Sequence, residues 1–134
     1  MFFDNICKKG FLVGYSLLMM GCNSFDFKIN SDINNDGLED RVYTKNVPME
    51  FVEKNVLYID LQQKDASYKN IFEEVLLNGP RKIWLEDYDQ DGDLDVMFAM
   101  FNQNDTFYGK LGLYMIENKG NDEFVKSVKL RSLE

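Results

Sequence analysis

Aspartate occupies every odd position of "DYDQDGDLD", residues 87–95, so five carboxylates crowd into nine residues around a glycine at the sixth place. Such a run repels itself unless a cation sits among the oxygens. In a loop of this spacing, side-chain oxygens at positions 1, 3, 5 and 9 and the backbone carbonyl at position 7 can turn toward one centre. The glycine permits the sharp reversal, with positive φ. A second copy, "DINNDGLED" at residues 32–40, shares the pattern D-x-[DN]-x-D-G-x-x-D and starts 55 residues earlier. The candidate ligands are Asp32, Asn34, Asp36, the Leu38 carbonyl and Asp40 in the first loop. In the second they are Asp87, Asp89, Asp91, the Asp93 carbonyl and Asp95.

The donor set selects the metal. Tetrahedral zinc asks for Cys or His, and the chain has no His, so a hard cation is the chemical match. Calcium outranks magnesium because it accepts more protein oxygens and irregular geometry, and up to two Ca²⁺ ions are expected. Asn34 is neutral, which makes the first loop the weaker site. An EF-hand would need a bidentate Glu at position 12 and flanking helices; position 12 is Tyr43 or Phe98. The segments that follow, "RVYT" and "VMFAMF", are β-branched and aromatic and predict strands, whereas EF-hand and dockerin-type loops continue into helices. The alternative without an ion is a pair of Asx-rich turns between strands.

Around each loop the sequence repeats. "RVYTKNV", "VLYIDLQ" and "IFEEVLL" follow the first, and "VMFAMF", "LGLYMIEN" and "EFVKSVKL" follow the second. Shorter alternating stretches, "FDFKI" at 25–29 and "RKIWL" at 81–85, precede them, which gives four predicted strands per unit. Turn signals fall at Asn78-Gly79-Pro80 between the units and at Asn118-Lys119-Gly120-Asn121 inside the second. "YKNIFEEVLL" is the one segment with a short helix as an alternative. Phe and Tyr supply eighteen of the nineteen aromatic residues, which also favours strands.

With those residues in place, "WLEDYDQDGDLDVMFAMF...LGLYMIENKGNDEF" resembles an FG-GAP or VCBS-type repeat: apolar strand, acidic loop, apolar strand, then an Asn-x-Gly turn before a Phe. The first unit is similar to a degenerate copy, since it lacks that turn. The resemblance spans residues 25–79 and 80–134. It implies four-stranded propeller blades that bind calcium between their first two strands and that serve adhesion or recognition outside the cell. Two blades are too few to close a propeller, which needs about four to eight. The expected fold class is therefore all-β, with two tandem antiparallel four-stranded blade-like units packed together. A compact two-sheet domain, an assembly of copies and a piece of an ancestral propeller all satisfy this reading. Apolar residues on both faces of "VMFAMF" favour two packed sheets or an oligomer.

The N-terminal region reads as an address. Lys8 and Lys9 precede the apolar run "FLVGYSLLMM", and Gly21-Cys22 follows at once. Ten apolar residues do not span a bilayer. The arrangement resembles a bacterial lipoprotein signal covering residues 1–21, with Cys22 as the lipidated first residue and 22–24 as a linker. Met19, Met20 and Asp4 depart from that pattern, and an ordinary cleaved signal or short membrane anchor is the alternative. The implied location is the bacterial cell envelope, lipid-anchored on its periplasmic face or at the cell surface. Cys7 would leave with the signal, so no intramolecular disulfide is expected.

The net charge is −8, and loss of residues 1–21, with Lys8, Lys9 and Asp4, shifts it to −9. That sign argues against nucleic acid as a partner. Catalysis is not expected: the best-grouped acids lie in the two loops, His is absent, and there is no phosphate cradle or nucleophile elbow. A carboxylate-based hydrolase is the enzyme alternative. Expected partners are the membrane, through Cys22, and another envelope protein or a glycan. Phe101, Phe107 and Tyr108 are candidate docking aromatics, with packing beneath a hairpin the alternative for Phe107 and Tyr108. Trp84, mid-strand, is expected in the core.

Overall fold

The computed structural model describes residues 27–76, 78–101 and 110–133. The signal, Cys22, Phe107 and Tyr108 lie outside these residues. The described chain is all-β, with eight strands: β1 (Lys28–Ser31), β2 (Asp40–Met49), β3 (Val52–Gln62), β4 (Tyr68–Leu76), β5 (Lys82–Glu86), β6 (Asp95–Phe101), β7 (Leu111–Ile116) and β8 (Val128–Ser132). They form two four-stranded antiparallel meanders, in the orders β1-β2-β3-β4 and β5-β6-β7-β8. Each acidic loop joins the first two strands of its sheet. Neither sheet closes into a barrel or a propeller.

Three local expectations need correction, and one alternative falls away. The first strand starts at Lys28, because Phe27 already points its backbone back to β2: its carbonyl accepts the Thr44 N–H and its own N–H donates to the Thr44 hydroxyl. The last strand is confined to Val128–Ser132, because Gly120, Asn121 and Asp122 all have positive φ and turn the chain out of extended geometry. Phe124 makes only an isolated bridge, to Asn118. Tyr68–Leu76 forms the expected strand and not the helical alternative, pairing along β3 with a bulge at Ile59/Asp60. Trp84 is half-buried and lies outside the core cluster, its indole N–H donating to Glu86 and its ring under the Lys82 ammonium.

One core joins the sheets. Val42, Leu57, Ile59, Leu61 and Leu76 come from the first sheet, Ile83, Val96, Phe98, Met100 and Ile116 from the second, and Ile33 from the first loop. Strand β6 is buried from Asp95 to Met100, as its unbroken apolar run requires.

The two sheets do not use equivalent faces. The loops set Tyr43 equivalent to Phe98, and Tyr58 equivalent to Tyr114. Both pairs are directly opposed across β2–β3 and β6–β7, and both stack, at 5.1 Å and 5.3 Å between ring centroids. Phe98 and Tyr114 face the core, whereas Tyr43 and Tyr58 alternate with the core residues Val42, Leu57 and Ile59 and so lie on the opposite face. The sheets therefore stack in one orientation, like consecutive blades, and not as mirror-related halves. On the outward face of the first sheet, Arg41 and Asp60 replace the core residues Val96 and Ile116. The Asp60 carboxylate there accepts from Arg41, Tyr43 and Asn70.

Candidate metal centres

Both loops fold around the same hydrogen bonds. The position-1 carboxylate accepts two backbone N–H groups: Asp32 from Asp36 (3.1 Å) and Gly37 (2.8 Å), and Asp87 from Asp91 (3.1 Å) and Gly92 (2.8 Å). At position 5, Asp36 and Asp91 each accept from the residue two further on, Leu38 and Asp93, at 2.9 Å. The turn is made by two residues in the left-handed region, at positions 4 and 6: Asn35 (φ 60) and Gly37 (φ 84), and Gln90 (φ 59) and Gly92 (φ 93). The glycines meet open space where a Cβ would stand, so it is conformation that selects them, not crowding.

Position 9 is the anchor. Asp40 and Asp95 are fully buried. Each accepts the N–H of position 2 of its own loop (Ile33 and Tyr88, 3.0 Å) and an N–H from the end of the third strand of its sheet or just beyond it (Gln62 and Asn118, 2.9 Å). Burial pushes both carboxyls above the ordinary carboxylate range; the backbone donors oppose that rise, and the neighbouring loop carboxylates add to it.

The carboxylates converge. Oxygens of Asp32, Asp36 and Asp40 lie within 4.8 Å of one another, as do those of Asp87, Asp89 and Asp95. A further group joins Asp89 and Asp91 to Glu117, a residue that the loop pattern does not contain. Among the described residues, no Lys or Arg nitrogen lies within ion-pair distance of any loop aspartate; Glu117 has Lys119 at 3.8 Å. Asn34 holds the remaining predicted side-chain position, and Leu38 and Asp93 the predicted carbonyl positions. Asn34 donates to Asp122 across the sheets (3.2 Å), while its Oδ1 is buried without a hydrogen-bond partner. Asp93 packs against Gly120. Leu38 is half-buried, its N–H held by Asp36.

An orphaned amide oxygen at position 3 of a loop whose three carboxylates converge without a cationic side chain fits a hard-cation site. The donor set is all oxygen, so the residues fit calcium.

Loop spacing alone missed Asn118. Its side chain is buried, donating to the carbonyls of Ile33 (3.2 Å) and Leu94 (3.1 Å) and accepting from the Gly120 N–H (2.9 Å). One amide thus ties the second loop to the first across 85 residues of chain. Ser127 adds a second tie, donating through its N–H and hydroxyl to the Glu74 carboxylate, and Phe72 packs on Phe124 beside it.

Comparison with protein-family models, with curated proteins and with solved structures finds no match to this chain.

Proposed function

We propose that this chain is a calcium-binding structural or recognition module of the bacterial envelope, lipid-anchored through Cys22, built from two FG-GAP/VCBS-like repeats. The observation that carries the reading is one hydrogen-bonded cage, formed twice, whose carboxylate oxygens converge without a cationic partner. The orphaned Asn34 oxygen supports it. Asp32, Asn34, Asp36 and Asp40 would hold one ion, and Asp87, Asp89, Asp91 and Asp95 the other, with the Leu38 and Asp93 carbonyls completing the sets. The ion would neutralise buried carboxylate charge and lock each β-β corner. The lipid anchor rests on Lys8, Lys9, the apolar run and Gly21-Cys22.

Isothermal titration with calcium and melting in chelator test the metal. At about ten times the dissociation constant, each ion should add roughly 1.4 kcal/mol of stability. Absence of calcium heat together with an unchanged melting temperature in chelator would defeat the reading. Radiolabelled palmitate incorporated by the wild type and lost in Cys22→Ser tests the anchor.

A second reading, an accessory protein that docks on another envelope protein, is favoured by Phe101, which is 40% exposed beneath the Arg81 guanidinium.

A further inference from the structure

The β2–β3 hairpin outgrows its sheet. Pairing of β3 with β4 ends at Asn55↔Leu76, and pairing of β1 with β2 ends at Lys28↔Tyr43. Past these points Val47↔Lys54, Pro48↔Glu53 and Met49↔Val52 continue as a two-stranded arm. At its tip Phe51 is 98% exposed, next to Val52 at 55%. A two-stranded ribbon is marginal by itself, and a large aromatic held wholly in water contributes nothing to the fold. Glu50 and Glu53 flank it.

Where β1 meets β2 in the same sheet lies a concavity of about 360 Å³ lined by Phe27, Tyr43 and Thr44 and rimmed by Lys28, Arg41 and Lys45. In a chain of net charge −8 this is a local cluster of positive charge. Arg41 is already paired with Asp60, but among the described residues Lys28 and Lys45 have no carboxylate within ion-pair distance. Among the described residues, two further concavities carry more acid than base: Glu73 and Glu74 with Lys126 in one, Asp36 and Asp122 with Lys64 in the other. Their net negative rims suit an acidic tip less well than the lysine-rimmed hollow does.

We propose that Phe51 is a docking knob that inserts into the Lys28/Lys45-rimmed concavity of a second copy of this chain. The match is one of shape class and charge: an aromatic between two glutamates enters an aromatic-walled hollow between two lysines. The knob does not reach its own hollow. Six residues of extended strand separate Phe51 from Lys45, roughly 20 Å. Knob and hollow are different surfaces, so the contact is head-to-tail and each copy offers one of each, which leads to a ring or to an open chain. The contact is small, so association is weak and depends on the high local concentration that a shared membrane provides.

The test uses the full chain in mild detergent. With photoreactive p-benzoylphenylalanine in place of Phe51, irradiation should give a product of twice the chain mass, whose linked peptides map to residues 27–45. In sedimentation velocity, Phe51→Ala and the double variant Lys28→Glu/Lys45→Glu should each weaken self-association at least about tenfold. Mixing the two should restore one-to-one pairs, because one still has the hollow and the other the knob. Both altered sites are exposed, so folding is not at stake. The proposal fails if the photoproduct is to lipid or to another protein, if no product forms, if association ignores either variant, or if mixing restores nothing.

Discussion

Replacing Asn118 by Ala removes one side chain that three hydrogen bonds depend on, two of them donated to carbonyls that belong to different loops. Each bond contributes about 0.5–1.5 kcal/mol net, and the abandoned groups sit where a buried residue stood, so the loss should be roughly 3 kcal/mol. For a domain of this size that lowers the melting temperature by roughly 10 °C. The Asn118 backbone N–H still holds Asp95, so the second loop keeps its anchor. The first loop loses its tether at Ile33. Calcium affinity should therefore fall several-fold at the first site and stay near wild type at the second. Asn118→Asp should be worse than Ala, because a carboxylate would face two carbonyl oxygens that now receive an N–H. Denaturant melts at fixed calcium and fixed chelator, combined with calcium titration, read all three effects. A melting shift under about 3 °C, or Asp tolerated better than Ala, would refute the assignment of Asn118 as the joint between the units.

Loop conformation gives opposed signs at neighbouring positions. Gly92→Ala forces a Cβ onto φ 93 and should cost about 1–2 kcal/mol, whereas Gln90→Asn, at φ 59, should gain several tenths of a kcal/mol, both by denaturant melts. Between the loops, the second should bind calcium several-fold more tightly, because Asp89 stands where the first has the neutral Asn34; single-site knockouts Asp32→Ala and Asp87→Ala separate the two in calorimetry. In the metal-free chain Asp40 and Asp95 keep their protons to higher pH when folded than their ordinary value near 3.8. The folded state then binds more protons in that window, so their contribution makes stability fall as pH rises through it. Acidifying metal-free protein from neutrality toward pH 4 should relieve that cost, while the calcium-dependent increment shrinks as protons compete; a pH series of melts with and without calcium checks both directions.

Period-two alternation and loop chemistry carried most of the strand order and the cage positions into the sequence, because each depends on neighbours within a few residues. Where the reading failed, the deciding contact is distant. "EFVKSVKL" alternates like a strand, yet three consecutive positive-φ residues before it and the pull of Phe72 on Phe124 delay the ladder to Val128. Trp84 sits mid-strand, but on the face of its sheet turned away from the core. Asn118 shows locally only as the first residue of a turn, and Glu117 has no local signature. Their roles appear only when the third strand of the second sheet ends beside both loops.

The least legible feature is which face of each repeat meets the core. Leu57 and Leu113 align, as do Tyr58 and Tyr114, but the first unit buries its Leu face between the sheets and the second its Tyr face. Residue alignment predicts equal roles; stacking in one orientation demands opposite ones. The chain resolves this by changing chemistry at matched positions: Arg41 and Asp60 on the outward face of the first sheet, Val96 and Ile116 where the second meets it. A paired Arg–Asp couple with a tyrosine hydroxyl and an asparagine amide at the same carboxylate is stable toward water and poor at accepting another apolar sheet. Those two substitutions end the stack on one side. Substituting Arg41→Val and Asp60→Ile together would recreate the inner-face pattern outside, and the expected result is aggregation through that face without loss of either cage, seen as light scattering with calcium stoichiometry unchanged. A double variant as soluble as the wild type would mean that the polar couple does not limit the stack.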